Sequence, residues 1–482
     1  VDCHSPRLDL SSALRLAALV APLGLLAACG DDAALDGNDG QDEQDEQDTQ
    51  ATSEGDEAGA SNGESGSAEG GEDVGEDVGE SAETGSETGE PACDPLAPEA
   101  LEREFLVRGS SREGVQLSAC DYHVWWISAA ADVETTLTLD AGVEQGVELA
   151  ISYPDTLAFT NPIASATLYG PGALSFDAPR SGEFAVLVRA QNPGADPDLS
   201  LSYDLSVTCT NQCQLETTRF PITLVHGWTG FENIGPLDYF YGVRADLEAL
   251  GYPVAVPVLD PYNAVEIRGE QLADFVELTL GAQRARKLNL FGHSQGGIDS
   301  RYVAADAGGG LGDHIGAVIT LGTPHQGTPF TDIALGLIPG PAETVLVWLL
   351  NFLGAAQSQQ SDVEASLYTL SETFMQGEFN ATYLDHPQVQ YWSWTGETCV
   401  AGIGCQDAVD PLLLFSYELI QPIAGANDGL VPESSAVWGD YLGLVPADHI
   451  DEIGQIGGLT SLSYDHIEFF RDNARMLADN EF

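Results

Sequence analysis

The sequence predicts a mostly parallel α/β sheet covered by helices, preceded by a smaller all-β sandwich. From Phe220 onward, apolar strand-like runs (PITLVHG, YPVAVPVL, KLNLFGHS, IGAVITLGTP, VQYWSWTG) alternate with helical patterns such as FYGVRADLEALG and GEQLADFVELTLGAQRA. That alternation belongs to a parallel sheet with crossover helices. Between Cys120 and Cys209 the runs are instead short and alternating, separated by Gly, Pro, Asn and Asp, the pattern of a sandwich. The first 92 residues contain one short apolar run and little else to bury, so neither unit draws on them. A length of 482 residues suits two or three folded units at about 100–200 residues each.

The charge balance removes one class of function. The chain has 76 Asp and Glu against 16 Lys and Arg, a formal net charge of −60. Residues 31–92 hold 22 carboxylates and no Lys or Arg, and residues 93–482 still carry 52 acids against 14 bases, Lys287 being the only lysine. A nucleic-acid backbone would be repelled, with no basic patch to anchor it. The 43% of hydrophobic residues excludes disorder of the whole chain.

Arg7 and Arg15 flank or enter the apolar run LRLAALVAPLGLLAA of residues 14–28. This run is shorter than the ~20 residues a membrane span needs and reads as the core of a signal peptide spanning residues 1–28. Its end, Leu26-Ala27-Ala28-Cys29-Gly30, resembles a bacterial lipobox. The resemblance implies a lipid on Cys29, and Gly30 in place of Asp points to the outer membrane. An ordinary secretory signal with an incidental cysteine is the alternative; either way the chain is exported, lipid-anchored at the cell envelope or secreted. Residues 29–92, with the small repeat GEDVGEDVGE, have too little apolar surface to offset ordering entropy and read as an extended tether.

Beyond Cys29 the cysteines are Cys93, Cys120, Cys209, Cys213, Cys399 and Cys405, an even number that reads as disulfides in an exported chain. The first four belong to the region 93–213, where three pairings are open; Cys399 and Cys405 are expected to close a small loop together. Zinc is the competing reading, but no His/Cys cluster at ligand spacing accompanies them. The strand order DYHVWWISA…GEFAVLVRAQN…LSYDLSV resembles the bacterial pre-peptidase C-terminal domain, a jelly-roll module of secreted enzymes, which implies an accessory role for residues 93–213.

Residues 214–482 carry the chemistry. The strand KLNLF runs into Gly292-His293-Ser294-Gln295-Gly296, followed by the helical pattern GGIDSRYVAADA. G-x-S-x-G between a strand and a helix is a nucleophile elbow, in which small residues allow the sharp turn that exposes the serine. A serine needs a base, and in this architecture the partners follow in the order Ser, Asp or Glu, His. Asp428 in GANDGLV follows the apolar segment LLLFSYELIQPIAG, where a strand-end carboxylate is expected. Of the downstream histidines, His466 falls in the first turn of a terminal helix and His449 in the loop VPADHIDEIGQ, so Asp428 and His449 are the expected partners of Ser294. The amides of Trp228, in the loop after PITLV, and of Gln295 are the expected oxyanion donors. His226 is expected to brace that loop, and His293 and His325 to be packing residues.

In order, LVHGWTG, RGEQL, FGHSQGGIDSRYVAA, LGTPHQGTPF, YWSWTG, NDGLV and HIDEIGQIGGLTS resemble the bacterial triacylglycerol lipases of the Pseudomonas and Burkholderia type, over residues 219–482. The resemblance implies an α/β-hydrolase fold with Ser294, Asp428 and His449 as triad. It also implies a structural Ca²⁺ held by the carboxylates of Asp410 and Asp451 and the carbonyls of Gln455 and Leu459, hard oxygen donors suited to that ion. Residues 333–360, with IALGLIPG and TVLVWLLNFLGAA, match the place of the family's lid, an apolar cover that opens at a lipid interface. Many relatives need a membrane-bound foldase. The family's disulfide after NDGLV has no counterpart, since PESS follows here. The function so read is hydrolysis of long-chain acylglycerols through an acyl-enzyme. The alternatives are a carboxylesterase on short soluble esters, a noncatalytic surface-binding protein that keeps the fold, and a serine peptidase.

Overall fold

A computed structural model describes residues 99–141, 146–191, 200–228, 233–234, 237–353 and 362–482. The segments expected as signal peptide and tether, with Cys29 and Cys93, lie outside the described residues. Nine strands come first: β1 (Glu99–Phe105), β2 (Ser111–Ser118), β3 (Asp121–Ala129), β4 (Glu134–Asp140), β5 (Val147–Ser152), β6 (Ala164–Leu168), β7 (Gly172–Asp177), β8 (Gly182–Ala190) and β9 (Ser200–Asn211). They form a five-stranded sheet in the order β1-β3-β8-β5-β6 and a four-stranded sheet in the order β2-β9-β4-β7, with Leu117, Leu137, Phe184, Val186 and Leu205 in the core between them. Cys209 pairs with Cys213, and Cys120 is also disulfide-bonded.

Strand β8 is buried along almost its whole length because both faces of its sheet are covered. Phe184, Val186 and Val188 face the sandwich core, while Ala185 and Leu187 join Phe105, Val124 and Trp126 on the opposite side. Arginines from the α/β part close that second face: Arg286 lies 3.5 Å from the ring centroid of Trp126 and Arg219 4.9 Å from that of Phe105. The sandwich and the α/β part belong to one compact unit.

The α/β part holds β10 (Ile222–Val225), a two-residue hairpin of β11 (Asn233–Ile234) and β12 (Leu237–Asp238), α1 (Val243–Leu250), β13 (Val254–Ala255), α2 (Val265–Gln283), β14 (Leu288–His293), α3 (Gln295–Ala304), β15 (Ile315–Leu321), α4 (Pro329–Ala334), α5 (Ala342–Leu353), α6 (Val363–Thr369), β16 (Gln390–Gly396), α7 (Leu414–Ala424), β17 (Asp440–Val445) and α8 (His466–Asp479). Six strands pair in the order β13-β10-β14-β15-β16-β17, every pair parallel. The strand expected over YPVAVPVL shrinks to Val254–Ala255, because Pro253 and Pro257 lack the N–H a ladder needs and confine the run to an edge.

One local expectation is overturned. The apolar run before Asp428 is helix α7 and not a strand, with Ser416, Tyr417 and Ile420 on its buried side and Pro422 in its last turn; burial at helical spacing decides the element. Arg219, Arg284 and Arg286, which meet the sandwich, precede β10 and β14, whereas Ser294 follows the other end of β14. The sandwich therefore docks at the end of the sheet opposite the serine.

Candidate active site

Strand β14, buried throughout, delivers Ser294 into a backbone conformation of φ 57° and ψ −129°, a strained geometry for a residue with a side chain, at a cost of about 1–3 kcal/mol. Its N–H is held by the Leu321 carbonyl at 3.0 Å, and its carbonyl accepts from Gly297 N–H at 3.1 Å. A side chain at Gly296 would collide with the Val225 and His226 carbonyls, which is why the second glycine of the motif is required.

The loop after β17 brings His449 to the same place. Its Nδ1 lies 2.7 Å from Asp428 Oδ2, and its backbone N–H donates to the Asp428 carbonyl at 2.9 Å. The other carboxylate oxygen, Oδ1, accepts the N–H groups of Leu430 at 2.8 Å and Val431 at 2.7 Å. Asp428 is thus fixed from both sides and leaves one oxygen for the imidazole. Ser294 and His449 line one cleft, together with apolar Phe330, Leu370, Val431 and Ile450. No hydrogen bond joins the Ser294 hydroxyl to His449 among the described residues; catalytic contacts of this kind tighten when substrate binds.

Trp228 stands at the cleft's edge, on a loop braced from beneath. The fully buried Arg268 reaches the His226 carbonyl at 2.8 Å, the Asp260 carbonyl, and Asp299 at 2.8 Å. His226 fills the bracing role expected of it: Leu259 N–H donates to its Nε2 at 3.0 Å, and its Nδ1 faces the Gly227 carbonyl at 3.1 Å. Burial, and then Arg268, push its pKa down to about 3, so it is neutral. His466 begins α8, capped by Asp465, and its Nε2 lies 2.9 Å from the Tyr241 carbonyl. His325 packs, as expected, against Trp438.

His293 does more than pack. Its Nδ1 lies 2.8 Å from the Tyr239 hydroxyl, which accepts Gly227 N–H, and its Nε2 lies 2.9 Å from Glu452 Oε2. Burial holds His293 well below the usual range; burial and the neighbouring Asp428 and Asp448 hold Glu452 well above it. The contact is therefore a hydrogen bond between neutral groups. Glu452 also lies 3.7 Å from His449 Nδ1, and nothing in the sequence marks it apart from the other acids of the chain.

A second cluster lies beside the histidine loop. The carboxylates of Asp407, Asp448 and Asp451 lie within 4.8 Å of one another, and Asp407 Oδ2 is buried with no hydrogen-bond partner. Burial, then Asp448 and Asp407, push Asp451 up to about 8. Converging buried carboxylates with an unsatisfied oxygen fit a hard divalent cation. Of the expected ligands, Asp451 belongs to this group and Asp410 does not: its Oδ1 accepts Leu412 N–H at 2.8 Å, and its own N–H donates to Asp448 Oδ2 at 2.7 Å. Gln455 lines the cleft and Leu459 is exposed. Asp407 and Asp448 are candidate ligands that the resemblance did not mark. Cys399 and Cys405 are joined as expected, in the loop that carries Asp407.

The apolar stretch expected as a lid forms α5 in part. Val345 and Leu349 pack with Phe330, Ile333 and Ile420, and the Trp348 indole donates to the Leu412 carbonyl at 3.1 Å. Residues 354–361 lie outside the described residues.

A parallel sheet that ends its central strand in a strained serine, with an acid–histidine pair on later loops, is the construction of the α/β-hydrolases, and this chain is a hydrolase of that class. No family model matches it. It is 34% identical over 289 residues to the triacylglycerol lipase of Vibrio cholerae, covering 54% of this chain and 88% of that protein. It is 31% identical over 296 residues to that of Burkholderia plantarii, covering 50% and 81%. A lipase from Bacillus licheniformis, BlEst2 in mature form, aligns with 54% of this chain and 91% of its own at 24% identity and a TM-score of 0.40. The chain belongs to the triacylglycerol lipase family.

Proposed function

We propose that the protein is an exported triacylglycerol lipase in which Ser294 is the nucleophile, His449 the general base and acid, and Asp428 the group that orients it. The observation that carries this reading is the Asp428–His449 hydrogen bond at the cleft that Ser294 also lines. The Ser294 hydroxyl attacks the ester carbonyl while His449 Nε2 takes its proton, and the carbonyl oxygen becomes an oxyanion held by the Trp228 and Gln295 amides. The C–O bond then breaks, and the alcohol leaves with the proton from His449. Water, deprotonated by the same imidazole, attacks the acyl-enzyme and releases the fatty acid. The apolar lining of the cleft suits acyl chains.

Asp407, Asp448 and Asp451 would hold a Ca²⁺. When bound, the ion supplies positive charge to three acids that otherwise repel, and so ties the Cys399–Cys405 loop to the loop of His449. The signal peptide and lipobox support export and an anchor through Cys29. Among the described residues no helix is long and apolar enough to cross a membrane. Foldase dependence follows from the resemblance alone and is tested by expression with and without a cognate foldase.

The test of the main reading is the initial rate on p-nitrophenyl esters of increasing chain length and on emulsified triolein, for the wild type and Ser294→Ala. Fatty-acid release from the emulsion, abolished in Ser294→Ala, is the expected result. Activity confined to short soluble esters would make the enzyme a carboxylesterase; residual turnover in Ser294→Ala would remove the nucleophile assignment.

A further inference from the structure

The two amides proposed to hold the oxyanion belong to separate parts of the chain. Trp228 sits on the loop after β10, and Gln295 is the first residue of α3. An oxyanion hole works only if both donors lie about 2.7–3.1 Å from one developing charge, so something must fix their spacing. Their side chains meet at a third residue. The Trp228 indole N–H donates to Ser366 Oγ at 2.6 Å, and the Ser366 hydroxyl donates to Gln295 Oε1 at 3.2 Å. The Gln295 amide then donates onward to the Asn263 carbonyl at 2.9 Å.

Ser366 and Gln295 are fully buried. A hydroxyl has one proton and can accept, and these two contacts use it in both senses. Ser366 lies on the buried side of α6 with Val363 and Leu367, where alanine would pack as well, so packing does not explain a hydroxyl there. Helix α6 is itself pinned to the segment that carries Asn263: Asp362 N–H donates to the Tyr262 carbonyl at 2.8 Å, and Val265 N–H to Thr369 Oγ1 at 3.2 Å. Tyr262 in turn meets the Trp228 ring edge-to-face at 5.7 Å.

We propose that Ser366 is a positioning residue of the oxyanion hole, a hydroxyl clamp that sets the distance between the Trp228 and Gln295 amides through their side chains. The proposal rests on the lipase reading and goes beyond it by naming a residue that touches neither substrate nor triad. Without the hydroxyl, the indole N–H and the buried amide oxygen each lose their partner, and the two segments can drift apart by the fraction of an ångström to which oxyanion stabilisation is sensitive.

The test uses the full exported protein and a p-nitrophenyl ester. Ser366→Ala is expected to lower kcat by about tenfold to a hundredfold, with KM within about twofold and the thermal midpoint lowered by only a few degrees. Trp228→Phe, at the half-buried end of the clamp, cuts the same link and should give a similar loss. The double variant should be no slower than either single one, because both break one chain of contacts. Ser366→Thr, which keeps the hydroxyl, should recover most of the rate. Affinity for a trifluoromethyl ketone, whose adduct with serine carries an oxyanion, should fall in step with kcat/KM, and that for the product acid should not; a merely structural role would not separate the two. If Ser366→Ala does not fold, Trp228→Phe carries the ketone measurement alone. A wild-type kcat in Ser366→Ala, or losses that multiply in the double variant, would overturn the clamp. Labelling of Ser294 by a fluorophosphonate in the wild type keeps that outcome distinct from failure of the nucleophile assignment, which would leave the wild type unlabelled and overturn both.

Discussion

Glu183 and Glu452 are both buried glutamates, one on the sandwich face that meets the α/β part and the other beside His449. Glu183 has both oxygens on arginine: Oε1 meets Arg219 Nε at 2.5 Å and Arg286 Nη2 at 2.9 Å, and Oε2 meets Arg286 Nε at 2.9 Å. Glu452 Oε1 has no partner, its nearest charged neighbours include other acids, and its one hydrogen bond goes to a neutral imidazole. The difference shows what each end of the sheet is for. At the docking end a buried charge is neutralised and fully bonded, so it holds two parts together. At the catalytic end, buried acids are crowded and under-satisfied, and the fold tolerates this in exchange for chemistry.

The sharpest break of that comparison removes a group at one end and watches the other. Asp428→Asn should lower kcat by about 10⁴-fold, because an amide no longer holds the imidazole in the right tautomer, while the thermal midpoint changes little. A comparable loss of stability would mean that Asp428 serves the fold as much as the reaction. The converse is Glu183→Ala, which removes the buried acid shared by two partly exposed arginines, 17% and 32% accessible at the side chain, and should cost about 3 kcal/mol of stability once solvent screening of those arginines is counted. Its kcat, measured on folded protein, should match the wild type; a reduced kcat would show that sandwich docking is transmitted to the cleft.

A smaller effect separates the two readings of the cation site. With Ca²⁺ at ~100 times its dissociation constant, binding adds about 2.7 kcal/mol, so a chelator should lower the unfolding midpoint of the wild type. Asp407→Asn should remove that response as fully as Asp451→Asn, and Asp410→Asn should remove less of it. The reverse order would favour the ligand set implied by family resemblance over the one that geometry gathers.

What the sequence made legible follows burial. Strands β3, β8, β10, β14, β15 and β16 announce themselves because their side chains are packed, and Ser294, Asp428 and His449 because a strand–turn–helix motif and a fixed chain order constrain them. The strands without a readable pattern, β1, β2, β7 and β17, are all at sheet edges; β1 is mostly exposed and β17 half so, and an edge strand needs little apolar alternation. Arg268, Glu452, Asp407 and Ser366 were illegible for another reason. Each is an ordinary polar residue whose role depends on partners far away in the chain, and only the fold supplies them.

The mildest test lies in the sandwich, at His123. The ring is fully buried; Arg103 Nη2 lies 2.7 Å from its Nε2 and the Tyr203 hydroxyl 2.7 Å from its Nδ1. A guanidinium can only donate, so Nε2 accepts and the proton sits on Nδ1, directed at the Tyr203 oxygen, which also accepts the Trp125 indole N–H at 2.8 Å. A second ring proton would face the arginine in a desolvated site; burial, and then Arg103, push the pKa down to about 4. The unfolded chain takes up that proton near pH 6.5 and the folded one does not until about pH 4. The contribution to stability is therefore whole above pH 6.5 and lost as pH falls through that window, about 2 kcal/mol of it by pH 5. His123→Gln cannot titrate, so its urea midpoint should fall less between pH 7 and pH 5 than that of the wild type, even if it is lower at both. His226, His293 and His325 are buried at the other end and contribute equally to both proteins, which leaves the difference to His123. Equal falls would mean that this histidine already carries its proton in the folded sandwich, with Arg103 turned away. The buried polar groups of the sandwich would then add nothing to the acid sensitivity that the buried histidines of the catalytic end carry.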